Sequence, residues 1–319
     1  MLEITNKEYH SHKALGSTML STLLKNAREF DLIKKGELKI EGKQLDIGTA
    51  LHKLVLEPET FEDEIIVSDL SITQGIKDLI DSKDVFTLYP AEVITPGGLL
   101  STSKKAKEIL ETLDKDKIYL TPNDYDSARF YQDNKDKTII TSDDMELVET
   151  LKDKIMKLKN FKVWLDNGVK EKSFFGIVDD VELKCRPDLL VKTDKGYIVI
   201  DVKTMGKSAT SDSFAKSSAD FLYPLQEALY REVLKQNDIN VIDFIFAGTS
   251  KQEWSGAGYY RHTKEWVEWG QELMHKAIFK YKWCSNNDLW FEDDFDFTDG
   301  GFKIVNDVVL PNYAQYKFL

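Results

Sequence analysis

The spacing of hydrophobic positions changes along the chain, and each change marks a different kind of element. After the helix-start pair Ser17-Thr18, Met19, Leu20, Leu23 and Leu24 recur at helical intervals. A second helix is expected over residues 47–56, with Glu57-Pro58 stopping it. Residues 69–142 are mixed, with a turn at Thr95-Pro96-Gly97-Gly98 and a helix start at Thr121-Pro122-Asn123-Asp124; a helical insertion is expected there. From Asp143-Asp144 the pattern sharpens. Leu147, Val148, Leu151, Ile155, Leu158 and Phe161 form one apolar stripe opposite a lysine-rich face.

Strand spacing follows. Residues 172–178, 181–191 and 197–203 read as three strands, joined by hairpin turns at Asp179-Asp180 and Asp194-Lys195-Gly196. A helix over 218–235, a β-rich run over 241–249 and a helix over 264–283 complete the order. Helix, three strands, helix, strand, helix predicts an α/β fold, a mixed central β-sheet flanked by helices. Residues 1–319 are expected to form a single domain: N-terminal helices over 14–66, the insertion over 69–142, a core over 143–285 and a tail over 286–319.

Composition narrows the function classes. A chain of 319 residues can bury a substantial core, and it shows no fixed-period repeat of the solenoid or propeller kind. Its longest apolar runs, such as residues 241–247, stop far short of a membrane span. The opening MLEITNKEYHSHKALG lacks the basic-then-apolar order of a secretory signal. Cys185 and Cys284 are too few for a disulfide framework or a four-cysteine metal cluster within one chain. A soluble protein of a reducing cytoplasm, without membrane partners, is expected. No glycine-rich phosphate loop lies between a strand and a helix, which disfavours a nucleotide-binding oxidoreductase or kinase.

The net charge of −12 argues against indiscriminate nucleic-acid binding, but the charge is uneven. Acidic residues crowd positions 288–296, whereas Lys104, Lys105, Lys107 and then Lys152, Lys154, Lys157, Lys159 and Lys162 form basic stretches. Those lysines suit a solvated helix face as well as a phosphate channel. Charge alone does not choose.

Chemistry concentrates in Cys185-Arg186-Pro187-Asp188 and in Ile198-Val199-Ile200-Asp201-Val202-Lys203. Side chains alternate along a strand, so Asp201 and Lys203 share one face, at the end of a run that otherwise reads as buried. An acid there is costly unless compensated, and a divalent cation would compensate it, with Asp188 of the neighbouring strand as a second oxygen ligand. Lys203 would then orient or activate a water and offset phosphate charge. Taken alone, an Asp-x-Lys pair reads first as a strand-end ion pair, because so short a pattern recurs by chance. Two further groups add to it. His52 lies near the apolar face of its helix, either as a satisfied core histidine or as an imidazole ligand. Tyr223, Gln226 and Tyr230 share a face of the later helix, either as its polar border or as residues that bind phosphate or position the lysine.

The succession Gly48-Thr49-Ala50-Leu51-His52, Arg186-Pro187-Asp188, Asp201-Val202-Lys203 and Gln226 with Tyr230 resembles the PD-(D/E)xK nucleases of the RecB-like branch. Residues 48–61 and 185–188 are most similar to the RecE-type (exodeoxyribonuclease VIII) phage exonucleases. The resemblance covers residues 14–66 and 145–250. It implies a restriction-endonuclease-like core and a Mg²⁺-dependent exodeoxyribonuclease, with Mn²⁺ as a substitute. Its metal ligands would be His52, Asp188, Asp201 and the backbone carbonyl of Val202. Lys203 would be the catalytic lysine, and Gln226 and Tyr230 would complete the site. Glu171 is a further acidic candidate whose alignment is open. Some members of the branch carry a four-cysteine iron–sulfur cluster, which this chain cannot form. The implied activity degrades one strand of linear double-stranded DNA, 5′ to 3′, leaving overhangs for recombination. A phage or prophage origin, a homo-oligomer and a single-strand annealing protein as partner belong to the same expectation. Rival readings are an endonuclease or nickase on the same fold, and a non-catalytic DNA-binding assembly module.

Overall fold

The computed structural model describes residues 4–38, 42–71, 73–81, 87–90, 117–120 and 122–291. The expected turn at 95–98, the lysines at 104, 105 and 107, and the tail beyond 291 lie outside the described residues. The N-terminal part holds α1 (Asn6–Ser11), α2 (Ser17–Lys25), α3 (Ala27–Lys34), α4 (Lys43–Leu56) and the short α5 (Phe61–Glu64). There follow β1 (Ile65–Val67), α6 (Gln74–Asp81), β2 (Thr87–Pro90), β3 (Lys117–Leu120), α7 (Pro122–Asn134) and β4 (Thr138–Ile140). Strand β1 pairs with β4 and β2 with β3, both in parallel. The stretch expected to be helical therefore also carries strands, each too short for its alternation to be legible.

The core comprises α8 (Ser142–Met156), α9 (Phe161–Asn167), β5 (Val169–Lys170), β6 (Phe174–Val178), β7 (Val181–Cys185), β8 (Leu189–Thr193) and β9 (Gly196–Met205). It continues through α10 (Ser211–Phe221), α11 (Tyr223–Gln236), β10 (Val241–Ser250), β11 (Ala257–Tyr260) and α12 (Lys264–Asn287). The main sheet runs β11-β10-β9-β8-β5. Strands β9 and β10 are parallel and the other pairs antiparallel, so the sheet is mixed, with helices on both faces.

Strand β9 shows how the sequence divides those faces. Ile200 and Val202 join the core built with Ile47, Leu51 and Val55 of α4 and Val148, Leu151 and Ile155 of α8. Val199 and Met205 turn the other way, toward Leu20 and Leu23 of α2, Leu225 and Leu229 of α11 and Met274 and Ile278 of α12. Each fully buried side chain of this kind contributes about 1.5–3 kcal/mol. Asp201 and Lys203 have the parity of Val199 and so face α11. Gly270 lets α12 press onto the start of that helix, because a Cβ there would lie 2.2 Å from the Pro224 carbonyl oxygen.

Three sequence expectations need correction, and one strand, β11, was not foreseen. The helix from Asp143 ends at Met156, and Asn160 in the left-handed region (φ 68°) precedes the separate helix that starts at Phe161. The run 181–191 is two strands in two sheets: β7 pairs with β6 in a hairpin of its own, and β8 joins the main sheet. Pro187, which has no N–H to give to a ladder, lies in the break. The helix over 218–235 is two helices, divided at Leu222 (φ 55°), and Pro224 takes its favoured place in the first turn of the second. Strand β11, whose Ala257-Gly258-Tyr259-Tyr260 shows no alternation, gains its structure by pairing with β10.

Candidate active site

The break in the run 181–191 creates the site. Because β8 begins only at Leu189, whose register partner is Ile200, the Asp188 carboxylate meets β9 where β9 extends past its neighbour. The Val202 N–H donates to Asp188 Oδ2 at 2.6 Å. Beside it, His52 of α4 donates from Nε2 to the carbonyl of the same Val202 at 2.8 Å, with Nδ1 3.5 Å from Asp188 Oδ2. His52 is thus at the strand ends with Asp188, and its side chain keeps 30% of its exposure.

Asp201 is 1% exposed and is held from two directions. Gln226 Nε2 of α11 donates to Oδ1 at 2.6 Å, and Lys203 Nζ lies 2.6 Å from Oδ2. The Lys203 ammonium is thus the close charge partner of the buried Oδ2. The ammonium of Lys203 also sits 4.9 Å from the Tyr223 ring centroid. Burial alone would favour a neutral amine, but Asp201, Tyr223 and Asp188 outweigh it, so Lys203 holds its proton more firmly than an ordinary lysine.

Of the two roles expected for Gln226 and Tyr230, binding phosphate or positioning the lysine, the geometry of Gln226 accords with the second. Gln226 reaches the carboxylate that Lys203 pairs with. Tyr230 is buried, and its hydroxyl donates to the Arg186 carbonyl at 3.2 Å, bracing the Arg186-Pro187-Asp188 segment. Arg186 continues the brace: Nε donates to Ser173 Oγ at 2.8 Å, Nη1 to Asn6 Oδ1 at 3.0 Å, and Nη2 to the Ile4 and Thr5 carbonyls. Behind Gln226, Glu227 receives Arg231 and His262, both at 2.8 Å, and His262 also meets Ser218, so α10, α11 and the segment leading into α12 are tied together.

Glu171 joins the site as well. It stands between β5 and β6 in the left-handed region (φ 46°), a conformation a glutamate rarely takes and one that accompanies functional strain. Its N–H donates to the Asp188 carbonyl at 3.3 Å. One donor atom each from His52, Glu171 and Asp188 lie within 4.8 Å of one another. Burial first, and then the Asp188 charge, push the Glu171 carboxyl up to about 9. Burial likewise raises Asp188, to about 6, against the lowering effect of His52. Crowded carboxylates that resist sharing negative charge, together with an imidazole, suit a hard divalent cation, and these residues fit one. A cavity of about 440 Å³ lined by Ile4, Thr5 and residues 169–173 opens beside Glu171.

A mixed sheet with an aspartate at one strand start and Asp-x-Lys on the adjacent strand defines a PD-(D/E)xK-type nuclease fold. Residues 17–293 match the PDDEXK-like domain of unknown function (DUF3799), and the chain belongs to that family. Among solved structures it is similar to that of a "Putative exonuclease" from Eubacterium rectale, with 12% identity, 97% of each chain covered and a TM-score of 0.56. Similarity to SSO0001 is slighter: 16% identity over 43% of this chain and 67% of the other, with a TM-score of 0.25. No curated protein matches the sequence. Among the described residues, no helix is long and apolar enough to cross a membrane.

Proposed function

We propose that this protein is a Mg²⁺-dependent exodeoxyribonuclease that degrades one strand of linear duplex DNA, 5′ to 3′, and leaves single-stranded overhangs for recombination. The observation that carries the reading is the convergence of His52, Glu171 and Asp188 beside the Asp201–Lys203 pair at the strand ends. The Eubacterium rectale neighbour, named "Putative exonuclease", and the RecE-type motifs favour removal from ends.

His52, Glu171, Asp188 and Asp201, with the Val202 carbonyl, would hold the cation. When bound, it would polarise the scissile phosphate and supply a nucleophilic water at neutral pH. Lys203, kept protonated by its anionic neighbours, offers a positive charge to the phosphate as negative charge builds on its oxygens. Gln226 fixes the rotamer of Asp201, and Tyr230 fixes the backbone that presents Asp188.

End-labelled linear duplex and covalently closed circular duplex, each with Mg²⁺ and with EDTA, test the reading. Release of label from the linear DNA, an untouched circle and no digestion in EDTA are expected. Cutting of the circle would make the protein an endonuclease, and undiminished digestion in EDTA would end the metal-dependent reading.

A further inference from the structure

Beyond the catalytic residues, the turn between β10 and β11 presents Trp254 at 78% exposure, the highest among the large exposed hydrophobic side chains. Leaving an indole in water is costly, and nothing about the turn is loose. Ser250 Oγ donates to the Lys207 carbonyl at 2.8 Å and Gln252 Nε2 to the Gly206 carbonyl at 2.9 Å. The Ala209 N–H donates to Ser255 Oγ at 2.9 Å, and Lys154 Nζ donates to the Ser250 and Gln252 carbonyls. The turn is thereby fastened to residues 206–209, which directly follow the strand carrying Asp201 and Lys203. Ser250 pairs with Met205. At about 3.3 Å per residue, the turn begins roughly 13 Å from Asp201 along the strand.

The surroundings of Trp254 discriminate between occupants. A protein interface is built on a contiguous apolar patch, whereas the neighbours here are Lys251, Gln252, Glu253, Ser255 and Gly256. Lys207 is exposed, and Lys251 reaches over to the Gln44 side chain of α4. Against these lysines the turn sets one acid, Glu253. An isolated aromatic side chain on a fastened turn, among cations on the active-site edge, is the pairing that single-stranded nucleic acid uses: a base stacks and its phosphates meet the lysines.

We propose that Trp254 stacks on a base of a DNA single strand crossing the active-site edge, with Lys207 and Lys251 holding its phosphates. This rests on the DNA-nuclease reading, and gives that enzyme a contact for unpaired strand beyond the scissile bond.

Binding of a short labelled oligo-dT in EDTA, where no cleavage interferes, tests the proposal by anisotropy and tryptophan emission. Wild-type emission is expected to be quenched, and Trp254→Ala to lose that quench and bind about 5- to 150-fold more weakly. Trp254→Phe, which keeps a stacking face, should retain most of the affinity. Lys207→Ala should lower the slope of log affinity against log salt by about 0.7, while Trp254→Ala leaves the slope unchanged. Equal binding by Trp254→Ala and wild type overturns the proposal, as does a change of oligomeric state in Trp254→Ala with DNA binding unaltered. Digestion of duplex by the same preparations in Mg²⁺ separates the two readings. Normal binding by Trp254→Ala with active wild type removes only the stacking role; Trp254-dependent binding without digestion removes only the nuclease.

Discussion

Asp188 accepts the backbone N–H of Val202 at 2.6 Å, so the carboxylate is fixed by a strand and not by another side chain. The carbonyl of the same Val202 receives His52, and the two side chains on either side of it, Asp201 and Lys203, pair with each other. A single stretch of β9 thus orients every member of the expected set that lies within reach of it. Substitutions at these positions should separate what holds the fold from what performs chemistry.

Asp188→Asn keeps an oxygen that can accept the Val202 N–H and removes the charge crowding Glu171. Its thermal midpoint is expected to match wild type or exceed it, while calorimetric binding of Mn²⁺ and digestion of DNA are both lost. Asp188→Ala leaves the buried N–H without a partner and should cost about 1–3 kcal/mol in urea unfolding as well. Wild-type Mn²⁺ binding by Asp188→Asn would remove Asp188 from the ligand set.

Lys203→Ala and Asp201→Ala should differ. The lysine is not a ligand, so its removal should leave Mn²⁺ binding largely intact while turnover falls by about 10²-fold or more. Without metal, Lys203→Ala also strands a buried carboxylate, for which a loss of about 3–5 kcal/mol is expected. Asp201→Ala should lose both metal affinity and turnover. Full activity in Lys203→Ala would end the role assigned to it.

Much of this arrangement is legible in the sequence because strand periodicity is strict. Asp201 and Lys203 share a face in any strand, and their parity with Val199 fixes which face. The breaks were harder to read. Arg186-Pro187-Asp188 interrupts a run whose apolar residues continue on both sides, and only Pro187 signalled that the ladder stops there. Leu222 in the left-handed region has no sequence signature, although Pro224 marked a helix start two residues on. For Tyr230 the expectation stays open between a helix border, phosphate binding and positioning the lysine, because helix spacing gives the face and not the depth; its ring is buried and its hydroxyl donates to the Arg186 carbonyl. Glu171 reaches the site through a backbone turn at positive φ where the chain leaves one sheet for another, which periodicity does not encode.

The pH dependence of the metal-free protein follows from Glu171 and Asp188. Both carboxyls are raised in the folded state, to about 9 and about 6, first by burial and then by neighbouring charge, that of Asp188 on Glu171 and that of Asp201 on Asp188. A raised carboxyl means that the folded protein binds protons the unfolded chain has released. The stabilisation is complete below the ordinary carboxylate range and is lost as pH rises through those values. In EDTA, the urea midpoint should therefore fall between about pH 5 and pH 9, and Glu171→Gln should flatten the upper part of that fall. Mn²⁺ affinity should rise over the same window, because the cation displaces the protons. A flat midpoint in wild type would contradict the crowding of these two groups.

His52 decides whether the helical N-terminal part belongs to the chemistry. A packed core histidine would be enclosed, whereas this ring keeps 30% of its side-chain exposure and spends Nε2 on a carbonyl at the site. His52→Ala should thus cost only about the 0.5–1.5 kcal/mol of one hydrogen bond, without the penalty of an opened core. If the imidazole is a ligand, the Mn²⁺ concentration giving half-maximal digestion should rise by about tenfold or more, and excess Mn²⁺ should restore part of the lost turnover. His52→Gln, which can still donate to Val202, should restore the lost stability and leave the metal requirement high. The opposite result would be a large loss of melting temperature with an unchanged Mn²⁺ requirement in the folded fraction. That outcome would make His52 a packing residue and confine the metal ligands to Glu171, Asp188 and Asp201, leaving α4 as a support for the strand ends.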